Sequence, residues 1–147
     1  MKLLNRKWAV ALLLATPLWV NAQKVIDLKD PSGKVQVKVA VGENITYSVY
    51  HEGDVMIEPS PISMTLTDGT VFGKEPRLRK KSYQTGNQTI YPLIYKKKSI
   101  EDHYNQLTLD FEGGYTLVFK AYEDGVAYRF VSALKKPFLV ESEQAVF

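Results

Sequence analysis

Val35-Gln36-Val37-Lys38-Val39-Ala40-Val41 alternates apolar and polar side chains with a period of two. That period sends four valines to one face of an extended strand and Gln36 and Lys38 to the other. A chain built around such a segment must bury one face of a sheet against a second layer. The same style of patterning recurs along the chain. Asp30-Pro31-Ser32-Gly33 reads as the tight turn that launches the valine strand, and Gly42-Glu43-Asn44 ends it. Ile45 to His51 follows as the hairpin partner, and Glu52-Gly53-Asp54 hands over to Val55-Met56-Ile57. Pro59-Ser60-Pro61 then reads as a break before Ile62-Ser63-Met64-Thr65-Leu66-Thr67, which is closed by an Asp68-Gly69 turn. Leu107 to Phe111, Tyr115 to Tyr122 and Val126 to Ala133, separated by Glu112-Gly113-Gly114 and Glu123-Asp124-Gly125, predict a three-strand antiparallel meander. Strands spaced about every ten residues, with glycine-bearing turns and no convincing helical period, predict an all-β antiparallel sandwich.

The N-terminus follows a different pattern. A basic head, Met1 to Lys7, precedes the compact apolar run Trp8 to Ala15, and Val20-Asn21-Ala22 supplies the small residues that signal peptidase accepts. Residues 1–22 therefore read as a signal peptide and 23–147 as one β-sandwich domain. The apolar run is too short to span a bilayer, and no membrane span is expected after cleavage. With no cysteine in the chain, lipid anchoring and a disulfide scaffold are both disfavoured. Export to a bacterial periplasm or to the extracellular space is the expectation.

Cleavage removes three of the 19 basic residues, Lys2, Arg6 and Lys7, and no acid, leaving 16 basic against 16 acidic side chains. A neutral mature domain lacks the electrostatic footprint of a nucleic-acid binder. Both tryptophans, Trp8 and Trp19, leave with the leader, and with them the side chain most often offered as a flat sugar platform. Lysines and arginines cluster at Arg77, Arg79, Lys80 and Lys81 and again at Lys96-Lys97-Lys98, around a stretch where Pro92 argues against a central strand. Basic side chains of this kind suit solvated edge strands, where they discourage edge-to-edge pairing.

Residues able to carry chemistry are few. The sequence has two histidines, His51 and His103, no nucleophile elbow and no phosphate loop, so neither a nucleophilic hydrolase nor a zinc site is supported. Glu141 and Glu143, at i and i+2, share one face of a regular strand, but such pairs usually decorate a solvated surface. Arg129, on the opposite strand face from Tyr128 and Phe130, is either a partner for an acid or a surface charge. His103-Tyr104-Asn105, placed just ahead of an apolar strand, could meet the hydroxyls of a carbohydrate or could satisfy backbone groups at the strand start. No catalytic or metal-binding residue is identified.

The strings Asp102-His103-Tyr104-Asn105-Gln106-Leu107 and Ala121-Tyr122-Glu123-Asp124-Gly125-Val126-Ala127-Tyr128-Arg129-Phe130 resemble the N-terminal domain of glycoside hydrolase family 97. So do Asp30-Pro31-Ser32-Gly33-Lys34 and Pro59-Ser60-Pro61-Ile62-Ser63-Met64, in the same order. The resemblance implies part of a β-super-sandwich attached to a (β/α)8 barrel. In that family the barrel carries the catalytic carboxylates and most ligands of a catalytic calcium, and the enzymes are exported α-glucosidases or α-galactosidases. On that reading 23–147 is a non-catalytic module, incomplete at its C-terminal side, with no cofactor of its own. Its carbohydrate partner is reached through a barrel absent from this chain. A free-standing carbohydrate-binding or lectin-like sandwich is the alternative.

Overall fold

The computed structural model describes residues 23–93, 96 and 98–146. The proposed signal peptide, residues 1–22, lies outside the described residues. Among the described residues ten strands form two antiparallel sheets. In the first, β1 (Lys24–Lys29), β2 (Val35–Val41), β3 (Ile45–His51), β4 (Asp54–Leu66) and β10 (Val140–Ala145) lie side by side, and the short β5 (Val71–Phe72) pairs with the end of β4. In the second, β6 (Leu78–Ile90), β7 (Ile100–Phe111), β8 (Tyr115–Tyr122) and β9 (Gly125–Ser132) run as a meander.

The valine strand occupies the bounds that its periodicity marks, and its burial alternates residue by residue. Val37 and Val39 have no exposed surface, and they face Leu107, Leu109, Leu117 and Phe119 in a core contributed by both sheets. Burying each such side chain stabilises the fold by about 1.5–3 kcal/mol before the entropy of ordering is counted. The β2–β3 register, Val35 against His51 through Val41 against Ile45, runs without a shift. A two-residue turn at Glu52-Gly53, both in the left-handed region (φ 52° and 98°), connects β3 to β4. Positive φ at both central positions matches the twist of the flanking strands, and Gly53 adopts it without a Cβ penalty.

Two expectations are corrected along β4 and β7. Pro59-Ser60-Pro61 does not break the chain into two strands: β4 is continuous over 13 residues. Its register against β3 shifts between Tyr47 and Tyr50, so the prolines fall where the ladder is already irregular. Pairing with β10 starts only at Ile62, which leaves the proline-bearing half an open edge among the described residues. Similarly, β7 begins at Ile100, seven residues before its apolar run, because the polar strand β6 pairs with it along its whole length. The meander thus has four strands, and the basic residues Arg79, Lys80 and Lys81 sit exposed on its edge strand.

Aromatic side chains lock the two layers together. Tyr115 of β8 stacks on Phe72 of β5 (centroids 4.5 Å, planes 16° apart) and on Phe111 of β7 (5.0 Å, 12°). Its hydroxyl accepts the Gly73 N–H across the core at 3.2 Å. Burial pushes the Tyr115 phenol above its ordinary pKa. Tyr47, Phe119 and Tyr128 form a second cluster, with centroids 5.6 to 5.9 Å apart.

At the β1–β2 turn, Asp30 is 2% exposed. Its carboxylate accepts the Val35 N–H at 2.7 Å, the Ser32 N–H at 2.8 Å and the Ser32 hydroxyl. Burial pushes this carboxyl up, but those hydrogen bonds outweigh it and hold the pKa below the ordinary aspartate value. A depressed folded-state pKa means stability present above the unfolded value of about 3.9 and lost as pH falls through the folded value. Asp30→Ala should therefore cost about 1–3 kcal/mol at neutral pH. In urea titrations the gap between variant and parent should close as the pH falls below about 4.

Candidate functional site

His103, Tyr104 and Asn105 lie inside β7, not at its mouth, opposite Asn87, Gly86 and Thr85 of β6. Strand periodicity then divides them: Tyr104 faces outward from the second sheet, while His103 and Asn105 share the opposite face with the buried Leu107. The three side chains do not converge on one point.

On the outer face, the Tyr104 ring lies directly over Gly86, where any Cβ would collide with it. The Lys120 ammonium sits 3.5 Å from the centre of the same ring, and Tyr122 leans against it at 5.5 Å. Asp102 completes the cluster, accepting from Gln88 Nε2 at 2.8 Å and from the Tyr122 hydroxyl at 3.2 Å. Burial alone would push Lys120 down, but Tyr104, Tyr122 and Asp102 more than offset it, so its pKa is raised. The cluster holds one cation between aromatic and acidic neighbours, a self-contained arrangement.

On the other face, Asn105 bridges three strands. Its Nδ2 donates to the Lys29 carbonyl of β1 at 2.9 Å, and its Oδ1 accepts from the Thr85 hydroxyl of β6 at 2.7 Å. A backbone-satisfying role, one of the two readings of this motif, is thus visible for Asn105. Beside it, the Tyr83 hydroxyl donates to the Asp27 carbonyl at 3.0 Å. Burial, then the Asp27 charge, push the Tyr83 phenol upward. Asp27, Leu28, Lys29, Tyr83, Gln84, Thr85 and Asn105 line a groove of about 380 Å³ between the edge strands β1 and β6. His103 is exposed two residues further along the same face.

Tyr83, Thr85 and Asp27 are not singled out by the sequence. The alternation of Lys81, Tyr83 and Thr85 with Ser82, Gln84 and Gly86 is the signal that could have marked one face of an edge strand.

The other candidates stay apart. A register shift between Val140 and Ser142 places a bulge at Glu141, which disturbs the regular pleat needed to align Glu141 with Glu143. Both carboxylates are exposed. Arg129 is exposed on the outer face of β9, the surface-charge alternative. Among the described residues no three His, Asp or Glu side chains converge to hold a metal ion. The donor set does not fit calcium, which takes six to eight oxygens.

Around this geometry the comparisons with known proteins fall into place. The family described as Glycosyl-hydrolase 97 N-terminal matches residues 28–147. The chain belongs to this family. It is 40% identical over 126 residues to a retaining alpha-galactosidase of Bacteroides thetaiotaomicron, an alignment covering 86% of this chain and 19% of the relative. A Glycoside Hydrolase Family 97 enzyme from a Pseudoalteromonas species, solved in complex with panose, superposes with a TM-score of 0.71 at 19% identity, over 81% of this chain and 20% of that one. A beta-arabinopyranosidase gives 0.73 at 25%, again over 81% and 20%. These structural likenesses speak for the fold, the expected β-sandwich. The chain spans about a fifth of the length of the relatives it matches.

Two substitutions separate the faces of this family 97 domain. Gly86→Ala should push the Tyr104 ring off its seat and cost about 1–3 kcal/mol, with loss of the upfield ring-current shift of the Lys120 ε-methylene in NMR spectra. Asn105→Ala should cost less, about 0.5–1.5 kcal/mol, because the exposed Lys29 carbonyl and Thr85 hydroxyl turn to water when they lose their partner, and should leave the Lys120 resonance in place.

Proposed function

We propose that this chain is the non-catalytic N-terminal sandwich module of an exported α-glycosidase, packing on a catalytic (β/α)8 barrel and helping shape its substrate pocket. The observation that carries the reading is the family match over residues 28–147, in a chain that spans only 19% of an α-galactosidase relative. The likeness to a retaining alpha-galactosidase supports α-galactosides over α-glucosides as the substrate class of the longer enzyme, and retention of configuration as its outcome. Calcium, where that enzyme uses it, would draw its ligands chiefly from the barrel.

An apolar surface supports the docking role. Val131, Leu134, Phe138, Leu139 and Val140 are exposed along one stretch of chain, Leu139 to 72%. Pro137, Phe138 and Leu139 also line a cleft of about 310 Å³ with Leu66, Thr67 and Asp68. Phe138 and Leu139, the two of these brought together at the cleft, offer an apolar contact for a docking partner.

The purified chain should show no turnover of p-nitrophenyl α-galactoside or α-glucoside. Sustained, calcium-dependent hydrolysis by this chain alone would overturn the module reading. Export is checked separately: N-terminal sequencing of the periplasmic or secreted product should begin at Gln23, and an intact Met1 would remove the leader from the proposal.

A further inference from the structure

The inner face of the β6–β7 ribbon changes character at Asn105. Leu107 and Leu109, on the same face of β7, have no exposed surface, being covered by the first sheet. Pairing of β7 with β8 begins at Asn105, so from that residue towards Ile100 the ribbon is two-stranded among the described residues and extends past the sandwich. There this face presents Thr85 and Asn87 from β6 with Asn105 and His103 from β7, and Tyr83, opposite Leu107, stands at the boundary with the covered part. Polar side chains replace apolar ones where the opposing layer ends.

We infer that the groove between β1 and this ribbon binds a short neutral saccharide, with the Tyr83 ring as its apolar platform and Asn105 and Thr85 as its hydroxyl-recognising groups. The inference rests on the proposed function for its choice of sugar class. Tyr83 is 51% exposed yet anchored by its hydroxyl to the Asp27 carbonyl, so its ring is offered without needing to be ordered on binding. The Asn105 amide and Thr85 hydroxyl fix one another while each keeps unused capacity: a second N–H on Nδ2, a second lone pair on Oδ1 and the lone pairs of the hydroxyl. Sugar hydroxyls, which both donate and accept, match that mixed set. Asp27 and Lys29 line the groove through the carbonyls that hold Tyr83 and Asn105, and the Lys81 ammonium lies 5.8 Å from the Tyr83 ring centre, so charges of both signs surround the groove and none is aimed into it, which suits an uncharged polyol. The groove, about 380 Å³, falls in the ~300–1,000 Å³ range of small-molecule sites.

The test is an NMR titration of the isotope-labelled chain with methyl α-galactopyranoside and methyl α-glucopyranoside. Saturable shifts of the Asn105 side-chain amide and of the Tyr83 and Thr85 backbone amides are expected at millimolar ligand. Tyr83→Ala should weaken binding about tenfold or more, Tyr83→Phe should retain most of it, and Tyr91→Ala, outside the groove, should leave it unchanged. If Tyr83→Ala fails to fold, Thr85→Val takes its place, and binding weakened severalfold supports the groove. Titrations that leave the groove resonances unmoved, or binding indifferent to both substitutions, overturn it. Failure of this inference is distinguishable from failure of the proposed function. A longer polypeptide that hydrolyses α-galactosides equally well with and without Tyr83→Ala, and whose groove does not titrate, loses only the groove. Saccharide binding in the groove of a protein devoid of α-glycosidase activity loses only the enzymatic reading.

Discussion

Among the described residues the two sheets share no strand pair, so the fold depends on burying one face of each against the other. β2 supplies Val35, Val37, Val39 and Val41, and β8 answers with Tyr115, Leu117, Phe119 and Ala121. Because the side-chain period of a strand is two, a one-residue slip in either sheet would turn its apolar set to solvent. That penalty sets the register throughout the β1–β3 and β7–β9 meanders, where the ladders run without a shift. The Phe72–Tyr115–Phe111 stack and the Tyr115–Gly73 hydrogen bond add a directional lock to an otherwise non-directional attraction.

The extent of that burial also decides where function can sit. Core residues of β7 end at Leu107, and beyond it the β6–β7 ribbon meets the opposing sheet only at the edge strand β1 among the described residues. The polar residues that follow are held in place by bonds to the backbone of β1, through Tyr83 to Asp27 and Asn105 to Lys29. Recognition surfaces on sandwich domains need such rigid support, because a side chain ordered in advance loses less entropy on binding. The outer face of the same sheet shows the contrasting case: Lys120, Tyr104, Tyr122 and Asp102 satisfy one another.

Legibility in the sequence followed the strength of the burial pattern. The valine strand, its hairpin partner, the Asp68-Gly69 turn and the strands after Glu112 and Glu123 were all readable, since alternation and turn chemistry agree there. The continuous course of β4 was not, because proline is ordinarily excluded from strand interiors and only an irregular ladder with an open edge accommodates Pro59 and Pro61. Arg79, Lys80 and Lys81 were readable as edge-strand residues, but the extent of β6 was not. Exposed on nearly all its length, it has no apolar alternation to reveal it, and its pairing with β7 alone makes it a strand.

Sequence by itself thus determined the sandwich class, the family and the polarity of each well-buried strand, because these rest on local periodicity and on ordered motifs. Only the tertiary structure decided that His103 and Asn105 part company with Tyr104. It also decided that Tyr83 and Thr85 join Asn105 in the groove beside β1. A motif of three adjacent residues looks like one site in a linear string, but the pleat sends its middle member to the far side of the sheet. Which residues then gather on each side depends on the pairing partner, and that is set by where the covering sheet ends.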